Sequence, residues 1–365
     1  MAIALWDNVL VLQTSYLGDT VLTMPLLVEV KRRFPRARLT FFCSPQGKQL
    51  AENSAAVDAV VVDDKKGRDR GWPGVWQQAS RLRQMAFTLA LTPHKSFRSA
   101  LILYLAHIPC RVGFRQSKGW FLFNRLVHRP SERHDIERNL SLLSAFGIRV
   151  EDCERNFDLR DPPDVPKTRG FQEQGMQHGT ERLRIGVNPG SVWATKRWET
   201  ERYARFINLL QTRWDCDVVI FGGREDKQIA AAIQAAVGTR CINLAGKFSL
   251  AELPAAVASC DIFVTNDSGP MHIAVARGVP TVGLFCATTP ALGFYPYSAA
   301  AIVVQKDLPC RPCGAHGGRR CPLGTEDCIR LIHPEHVLQA VEKLLKRRAG
   351  KIDLGPGNEP EFMIV

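Results

Sequence analysis

Residues 265–272, TNDSGPMH, place a carboxylate, hydroxyls, a glycine and a histidine between a predicted strand and a predicted helix. The first N–H groups of a helix have no partner within that helix, and such groups bind phosphate. A simple helix cap needs only one polar residue, whereas several are packed together here. The segment therefore predicts a site for a phosphorylated ligand, with four candidate residues: Asp267, Ser268, Gly269 and His272.

Two further loops follow predicted strands of the same half of the chain. Residues 188–191 (NPGS) precede Lys196 and Arg197, and positive charge after a loop of small residues suits a diphosphate. Residues 222–226 (GGRED) contain two glycines, which let a ligand approach the backbone closely. Each loop also has a simpler interpretation: the first as a solvated basic loop, and the second as a tight turn capped by acids.

Asp19 leaves the first predicted strand, residues 8–13, through the loop of residues 14–19 (TSYLGD). The carboxylate either caps the following helix or points into a cleft between domains, where it could act as a general base. Its position in the sequence leaves both interpretations open.

The basic residues of the chain are unevenly distributed. The net charge is +12, and residues 95–133 contain eight basic residues but a single acid, Glu132. Aromatic residues lie among them, which favours an anionic amphiphile as the partner over a merely solvated face. The candidate contacts are Lys95, Arg98, Arg115 and Lys118.

The 11 cysteines are an odd number scattered along a long chain, which is not typical of a secreted disulfide scaffold. Four of them form a C-x2-C-x7-C-x6-C pattern that could hold a structural zinc ion. A reduced cysteine-rich loop is the default expectation for this spacing. The four residues are Cys310, Cys313, Cys321 and Cys328.

Strand and helix signals alternate along both halves of the chain, which predicts α/β domains with parallel sheets. Prolines and glycines in residues 160–181 indicate a linker. We therefore expect an N-terminal domain over residues 1–165, a C-terminal domain over 180–335, a helix over 334–348 and a disordered tail over 349–365. Ligands of such domains bind at the carboxyl ends of the strands, facing the cleft between the domains.

Several function classes lack their sequence signatures. No G-x-G-x-x-G follows the first strand, and no phosphate-binding G-x4-G-K-[ST], G-x-S-x-G or H-E-x-x-H motif occurs. No apolar run is long enough to span a bilayer, and the N-terminus does not read as a signal peptide. We expect a cytoplasmic protein.

Taken together, these segments resemble the ADP-heptose:lipopolysaccharide heptosyltransferase family over nearly the whole chain. The resemblance is carried by residues 11–27 (VLQTSYLGDTVLTMPLL), 185–204 (IGVNPGSVWATKRWETERYA), 219–230 (VIFGGREDKQIA) and 265–285 (TNDSGPMHIAVARGVPTVGLF). The cysteine segment of residues 310–328 is similar to lipopolysaccharide heptosyltransferase II. The resemblance implies a GT-B fold, in which two Rossmann-like domains with parallel sheets face an interdomain cleft.

The resemblance also implies an inverting transfer from ADP-L-glycero-β-D-manno-heptose that requires no metal or other cofactor. Asp19 matches the catalytic base, and Lys196 matches the lysine that neutralises the departing phosphates. Glu225 would hold the nucleoside and Asp267 the heptose hydroxyls. The remaining donor-binding positions are Ser191, Thr195, Ser268, Gly269 and His272.

The implied acceptor is the heptosyl-Kdo2-lipid A inner core of lipopolysaccharide. Such a lipid places the enzyme on the anionic inner leaflet of the cytoplasmic membrane, which Arg32 and Arg33 could face. Three alternatives stay open: a first-heptose or branch-heptose transferase of the same family, an NAD-dependent oxidoreductase or epimerase, and a basic zinc-loop protein that binds nucleic acid.

Overall fold

The computed structural model describes residues 6–162, 182–237, 240–350 and 359–365. The chain divides into two compact units, Met1–Arg160 and Asp161–Val365. The predicted linker begins at the boundary between these units, and its residues 163–181 lie outside the described part of the chain. None of the helices in the described residues is both long and apolar enough to cross a bilayer.

The N-terminal unit is built on a six-stranded parallel sheet in the order β3-β2-β1-β4-β5-β6. Its strands are β1 (Asn8–Gln13), β2 (Arg38–Cys43), β3 (Ala59–Val62), β4 (Leu89–Thr92), β5 (Cys110–Phe114) and β6 (Arg125–Val127). Its helices are α1 (Leu17–Arg33), α2 (Pro45–Ala51), α3 (Gly71–Gln84), α4 (Phe97–Leu105) and α5 (Asp135–Leu140), with 3₁₀ turns at Trp120–Leu122, Ser141–Phe146 and Val150–Asp152.

Strand β1 lies in the middle of this sheet, which is why its sequence NVLVLQ is a continuous apolar run rather than an alternating one. Val9 to Leu12 are fully buried. The strand order reverses between β1 and β4, and the carboxyl ends of adjacent strands at such a reversal form a crevice for ligands. The loop that leads from β1 to Asp19 in α1 leaves the sheet at this point.

The C-terminal unit has a seven-stranded parallel sheet in the order β13-β12-β11-β10-β7-β8-β9. Its strands are β7 (Leu183–Asn188), β8 (Cys216–Ile220), β9 (Cys241–Asn243), β10 (Ile262–Asn266), β11 (Thr281–Phe285), β12 (Ala301–Gln305) and β13 (Glu361–Ile364). Its helices are α6 (Thr200–Arg213), α7 (Lys227–Val237), α8 (Leu253–Ala258), α9 (Gly269–Ala276), α10 (Asp327–Arg330) and α11 (Pro334–Ala349), with 3₁₀ turns at Ala194–Lys196, Arg224–Asp226 and Pro290–Leu292.

The order of this second sheet reverses between β7 and β10. Asn188 at the end of β7 donates from Nδ2 to Thr265 Oγ1 at 3.3 Å, which ties the two strand ends together. The loops that the sequence analysis marked as separate candidates, residues 188–196 and 265–272, therefore leave neighbouring strands at one edge of one sheet. Each unit is thus one of the two parallel-sheet α/β domains that the sequence predicted and that the resemblance to a GT-B family implies.

The predicted disordered tail is wrong for its last residues. Glu361–Ile364 form β13, which pairs in parallel with β12 at the edge of the sheet. The Glu361 carboxylate binds Lys343 at 2.6 Å and also Arg347, both on α11, and Met363 packs against the core. Pairing with the edge strand β12 and two cations on α11 stabilise this strand, although the sequence before it is rich in glycine and proline. Residues 351–358 lie outside the described part of the chain.

Candidate functional site

In the N-terminal unit, Asp19 is the third residue of α1, directly beyond the loop that leaves β1. Its Oδ2 accepts a hydrogen bond from the Tyr16 N–H at 3.1 Å, so the cap interpretation holds. Burial, reinforced by the negative charge of Asp135, raises the pKa of Asp19 to about 6 against the hydrogen bonds from Ser15 and Tyr16. A carboxylate with a pKa just below neutral is mostly ionised at pH 7 and can still accept a proton, which is what a general base requires.

Asp135 is a buried contributor to this site that the sequence analysis missed. It begins α5, pairs with Arg129 and lies 3.8 Å from a nitrogen of Arg138. Asn139 on the same helix donates to the Leu22 carbonyl at 3.0 Å, which fixes α5 against α1. Nothing in the sequence near residue 135 signals this contact, because it depends on packing between helices far apart in the chain.

His94 is a second missed residue, in the loop after β4. Its Nδ1 lies 2.8 Å from Ser99 Oγ and 3.3 Å from Thr14 Oγ1, so it connects the loops after β1 and β4. Burial, together with the positive charge of Lys65, lowers the pKa of His94 to about 4. The imidazole is therefore neutral at pH 7 and able to hydrogen-bond an uncharged group such as a sugar hydroxyl.

The predicted acceptor contacts separate into two groups. Lys95, Arg115 and Lys118 are exposed in loops at the carboxyl edge of the sheet. Arg98 is instead bound to the buried Asp63 at 2.8 Å, and it also donates to the carbonyls of Asp69 and Gly71. Its guanidinium holds the β3–α3 loop against α4. Arg98 is therefore already bound within the unit, unlike the three exposed residues.

In the C-terminal unit, Lys196 and Asp267 form an ion pair between Nζ and Oδ2 at 2.6 Å, and both side chains are largely buried. The Thr288 hydroxyl donates to the same carboxylate oxygen at 2.6 Å. His272 is buried within α9, and this burial lowers its pKa to about 4, with the charge of Asp267 opposing the shift and that of Lys196 assisting it. Three of the predicted residues therefore contribute to one part of this unit: Lys196 a cation, Asp267 a carboxylate and His272 a neutral imidazole.

Ser268 occupies the N-cap position of α9 but its side chain does not cap the helix. The hydroxyl instead donates to the Asn266 carbonyl at 3.2 Å and lies 3.4 Å from Asn188 Nδ2. Gly269 and Pro270 open the helix. Because proline has no N–H, the start of this helix presents fewer amides to an anion than a proline-free start would.

The hydroxyl of Thr195 is already hydrogen-bonded to the cysteine segment. Its Oγ1 accepts from the Gly318 N–H at 2.8 Å and donates to the Gly318 carbonyl at 3.0 Å. The cysteine segment thereby packs onto the 3₁₀ turn that carries Lys196. Ser191 contributes its carbonyl, which accepts from Arg197 Nε at 2.7 Å.

The glycine turn after β8 carries an exposed carboxylate, Glu225, and a buried one, Asp226. Asp226 accepts from the Gly223 N–H at 2.9 Å, and burial raises its pKa with help from the charge of Glu225. A Cβ built on Gly190 would lie 2.3 Å from Asp226 Oδ2, so the loop after β7 rests directly on this carboxylate. The interpretation of this loop as a tight turn capped by acids therefore holds for Asp226.

The cysteine segment is reduced, with all of its thiols free. Cys310, Cys313 and Cys321 are partly exposed, and Cys328 is buried, which raises its pKa to about 11. Hydrogen bonds from backbone N–H groups of residues 323–326 lower the pKa of Cys321. Across the described ranges of the chain, no three His, Cys, Asp or Glu side chains converge in a way that would hold a metal ion.

The family model for glycosyltransferase family 9 (heptosyltransferase) matches residues 75–321. The chain belongs to this family. It is therefore a glycosyltransferase, and the NAD-dependent interpretation is set aside. The nucleic-acid alternative gains no support from the match.

Named relatives in the family align over most of both chains. Lipopolysaccharide heptosyltransferase 2 of Salmonella typhimurium is 27% identical over 363 residues, covering 93% of this chain and 98% of the relative. Lipooligosaccharide heptosyltransferase 2 of Campylobacter jejuni is 27% identical over 340 residues, covering 91% and 96%. The solved structure of Escherichia coli ADP-heptose lps heptosyltransferase II has 25% identity and a TM-score of 0.76, covering 94% of this chain and 99% of that one.

Proposed function

We propose that this heptosyltransferase moves L-glycero-D-manno-heptose from ADP-heptose to the heptosyl-Kdo2-lipid A inner core of lipopolysaccharide, with inversion at the anomeric carbon. The relatives named as heptosyltransferase 2 support the lipopolysaccharide substrate, and the E. coli protein's name supports ADP-heptose as the donor. The observation that carries the chemistry is the Asp19 carboxylate, with its raised pKa, at the carboxyl end of β1.

Asp19 would accept the proton from the acceptor hydroxyl while that oxygen attacks the anomeric carbon of the donor. The new glycosidic bond forms as the bond from the anomeric carbon to the diphosphate oxygen breaks, and its electron pair leaves with ADP. General base catalysis of this kind contributes about 10²–10⁴-fold to the rate. Burial raises the pKa of Asp19 towards neutral, and the negative charge of Asp135 adds to that rise, which supports the role of Asp19 as the base.

On the donor side, Lys196 would stabilise the negative charge that develops on the departing diphosphate. Asp267, its partner in the structure, would then bind the heptose hydroxyls, and the Thr288 hydroxyl would orient the carboxylate. The neutral His272 and the start of α9 at Ser268 and Gly269 would contact the phosphates as hydrogen-bond donors. A lysine and a helix start supply positive charge to the leaving group, so we propose that no metal cofactor is needed.

The remaining positions fit this scheme unequally. Glu225, exposed on the glycine turn after β8, would hold the nucleoside. Ser191 stays a proposed diphosphate contact, whereas the hydroxyl of Thr195 is bound to Gly318, and we propose that this residue positions Lys196. Lys95, Arg115 and Lys118 would meet the anionic acceptor, and the enzyme would act at the cytoplasmic face of the inner membrane.

The test is ADP release from ADP-heptose with Kdo2-lipid A and heptosyl-Kdo2-lipid A as separate acceptors. We expect turnover with the heptosylated acceptor only, and loss of that turnover in Asp19→Asn. Glu52→Gln, which changes an exposed carboxylate paired with Lys48, is the matched control and should keep wild-type activity. Turnover with bare Kdo2-lipid A would make the chain a first-heptose transferase, and no ADP from either acceptor would contradict the proposal.

A further inference from the structure

The N-terminal unit exposes an unusual set of large aromatic side chains. Six of them belong to α3, α4 and the 3₁₀ turn Trp120–Leu122, and we call this set the aromatic face. Its members, with their exposed fractions, are Trp72 (65%), Trp76 (60%), Phe97 (41%), Tyr104 (49%), Trp120 (52%) and Phe121 (60%). Exposed apolar residues are normal when scattered singly, but a group of them marks an interaction surface.

Contacts between the three elements hold these side chains on one side of the unit. Helices α3 and α4 pack against each other, and Arg98 at the start of α4 donates to the Gly71 carbonyl at the start of α3. The rings of Phe97 and Phe121 have centroids 6.3 Å apart, and those of Trp120 and Phe121 are 6.0 Å apart. The 3₁₀ turn therefore extends the surface of α4.

Helical spacing accounts for the rest of the face. Trp72 and Trp76 are four residues apart on α3, and side chains at this spacing lie on the same side of a helix. Phe97 and Tyr104 are seven residues apart on α4, which again places them on one side. The same two helices bury Val75, Leu82 and Leu103 in the core of the unit, whereas these four aromatic side chains stay exposed.

Positive charge borders this face at the carboxyl edge of the sheet. Lys66 and Arg70 lie in the loop before α3, and Arg115 and Lys118 lie in the loop before the 3₁₀ turn; all four are exposed. None of the four forms an ion pair with another residue in the described part of the unit. Their charges are therefore directed to a partner or to solvent.

Arg32 and Arg33, which the sequence analysis considered for the membrane, do not fit that role. Both bind the buried carboxylate of Glu29 at 2.7 Å, and Arg33 also donates to the Asp152 carbonyl at 2.6 Å. These contacts join α1 to the 3₁₀ turn Val150–Asp152. The two arginines hold the unit together rather than offering open charge.

We propose that the aromatic face and its basic border dock onto the surface of an anionic phospholipid bilayer. Tryptophan and tyrosine rings with a polar edge favour the membrane–water interface, and clustered lysine and arginine bind anionic headgroups. Aromatic residues and arginine are also enriched in protein–protein interfaces, so the observation that favours anionic lipid is the set of four border cations without an ion pair in the described part of the unit. The inference deepens the proposed function, since an acceptor anchored in lipid lies at such a surface.

The location of the face relative to Asp19 agrees with this partner. The loops before α1, α3, α4 and the 3₁₀ turn all follow parallel strands, so they leave the sheet at the same carboxyl edge. The base of the proposed reaction and the basic border of the aromatic face therefore share one edge of one unit. A unit docked by this face would hold Asp19 and the loop before it close to the lipid headgroups.

The experiment is co-sedimentation of the full chain with vesicles of phosphatidylcholine, with and without phosphatidylglycerol, in the absence of donor and acceptor. We expect binding to the anionic vesicles, and a loss of at least about tenfold in Trp72→Ser/Trp76→Ser/Phe121→Ser. Lys66→Glu/Lys118→Glu should lose the preference for anionic lipid. Leu323→Ser/Ile364→Ser removes exposed apolar side chains of the other unit and should bind as the wild type does.

Circular dichroism and thermal melting establish that each variant is folded before its binding to vesicles is measured. The proposal is overturned if the wild type does not bind anionic vesicles, or if the aromatic variant binds them as tightly as the wild type does. It is equally overturned if the control variant loses as much vesicle binding as the aromatic variant. It is also overturned if the aromatic variant abolishes self-association of the chain but leaves vesicle binding unchanged. ADP release with detergent-dispersed acceptor is measured separately, so failure of the reaction and failure of the surface are distinguishable.

Discussion

Replacing Asp19 by asparagine should remove activity and stabilise the fold at the same time. Asparagine keeps the oxygen that accepts the Tyr16 N–H but cannot accept a proton from the acceptor hydroxyl. The rate should therefore fall by about 10²–10⁴-fold. In the wild type, the activity should also decline as the pH falls through about 6, where the Asp19 carboxylate becomes protonated.

The stabilisation follows from the same pKa. The pKa of Asp19 rises from the usual 3.8 to about 6 on folding, so the folded state binds a proton more tightly than the unfolded state between these two values. Stability is therefore lost as the pH rises from about 4 to about 6. The rise in the pKa of Asp19 from 3.8 to about 6 corresponds to about 3 kcal/mol of unfolding free energy lost at pH 7. Asp19→Asn should recover up to about 3 kcal/mol at pH 7 and little below pH 4.

The assay is thermal and urea unfolding of the wild type and Asp19→Asn at pH 7.5 and pH 4, alongside ADP release from pH 5 to pH 8. The control is Glu52→Gln, whose exposed carboxylate lies outside this site. If the wild type and Asp19→Asn are equally stable at pH 7.5, burial of the ionised Asp19 carboxylate does not destabilise the fold, and the reasoning is refuted. An activity profile without a decline near pH 6 would separately refute the assignment of Asp19 as the base.

Three further predictions concern other residues of the two units. Lys196→Met should lower the rate of ADP release by about 10²–10³-fold with the protein still folded, because the leaving phosphates lose their cation; unchanged turnover would exclude this role. Arg98→Met should cost about 3–5 kcal/mol in urea unfolding, because it leaves the buried Asp63 unpaired; a stable variant with weakened acceptor binding would instead restore Arg98 as an acceptor contact. Deleting residues 359–365 should lower the melting temperature by several degrees, because β12 loses its partner strand and α11 loses Glu361; an unchanged melting temperature would mean that β13 adds nothing to the fold.

The sequence predicted most strongly the elements whose burial is uniform. Strand β1 was predicted with its observed bounds, because a central parallel strand must be apolar on both faces. Strands β5 and β6 were not predicted, because their short sequences CRVGF and RLV carry arginine among the apolar residues. Strand β12 was not predicted either, although its sequence AIVVQ is a buried apolar run. Strand β13 was missed because it is stabilised by α11 and β12 rather than by its own composition.

The candidate site shows the same division between local and tertiary information. Lys196 and Asp267 were both selected from their loops, but their ion pair arises only because β7 and β10 are neighbours in the sheet. Asp135 and His94 were not selected, because Asp135 acts through its charge on Asp19 and His94 through a hydrogen bond with Thr14, and both partners are far away in the chain. Residue type and spacing therefore identify the strand ends that carry chemistry, while strand order decides which side chains meet.

The central claim is the transfer of one heptosyl residue to a lipid-linked heptose, and the most direct measurement is the product itself. Heptosyl-Kdo2-lipid A would be incubated with ADP-heptose and the full chain, and then analysed by mass spectrometry and by NMR of the new anomeric centre. We predict an acceptor that gains a single heptosyl residue with inverted anomeric configuration, in an amount equal to the ADP released. Release of ADP without any change in the acceptor, or a product of retained configuration, would contradict the account.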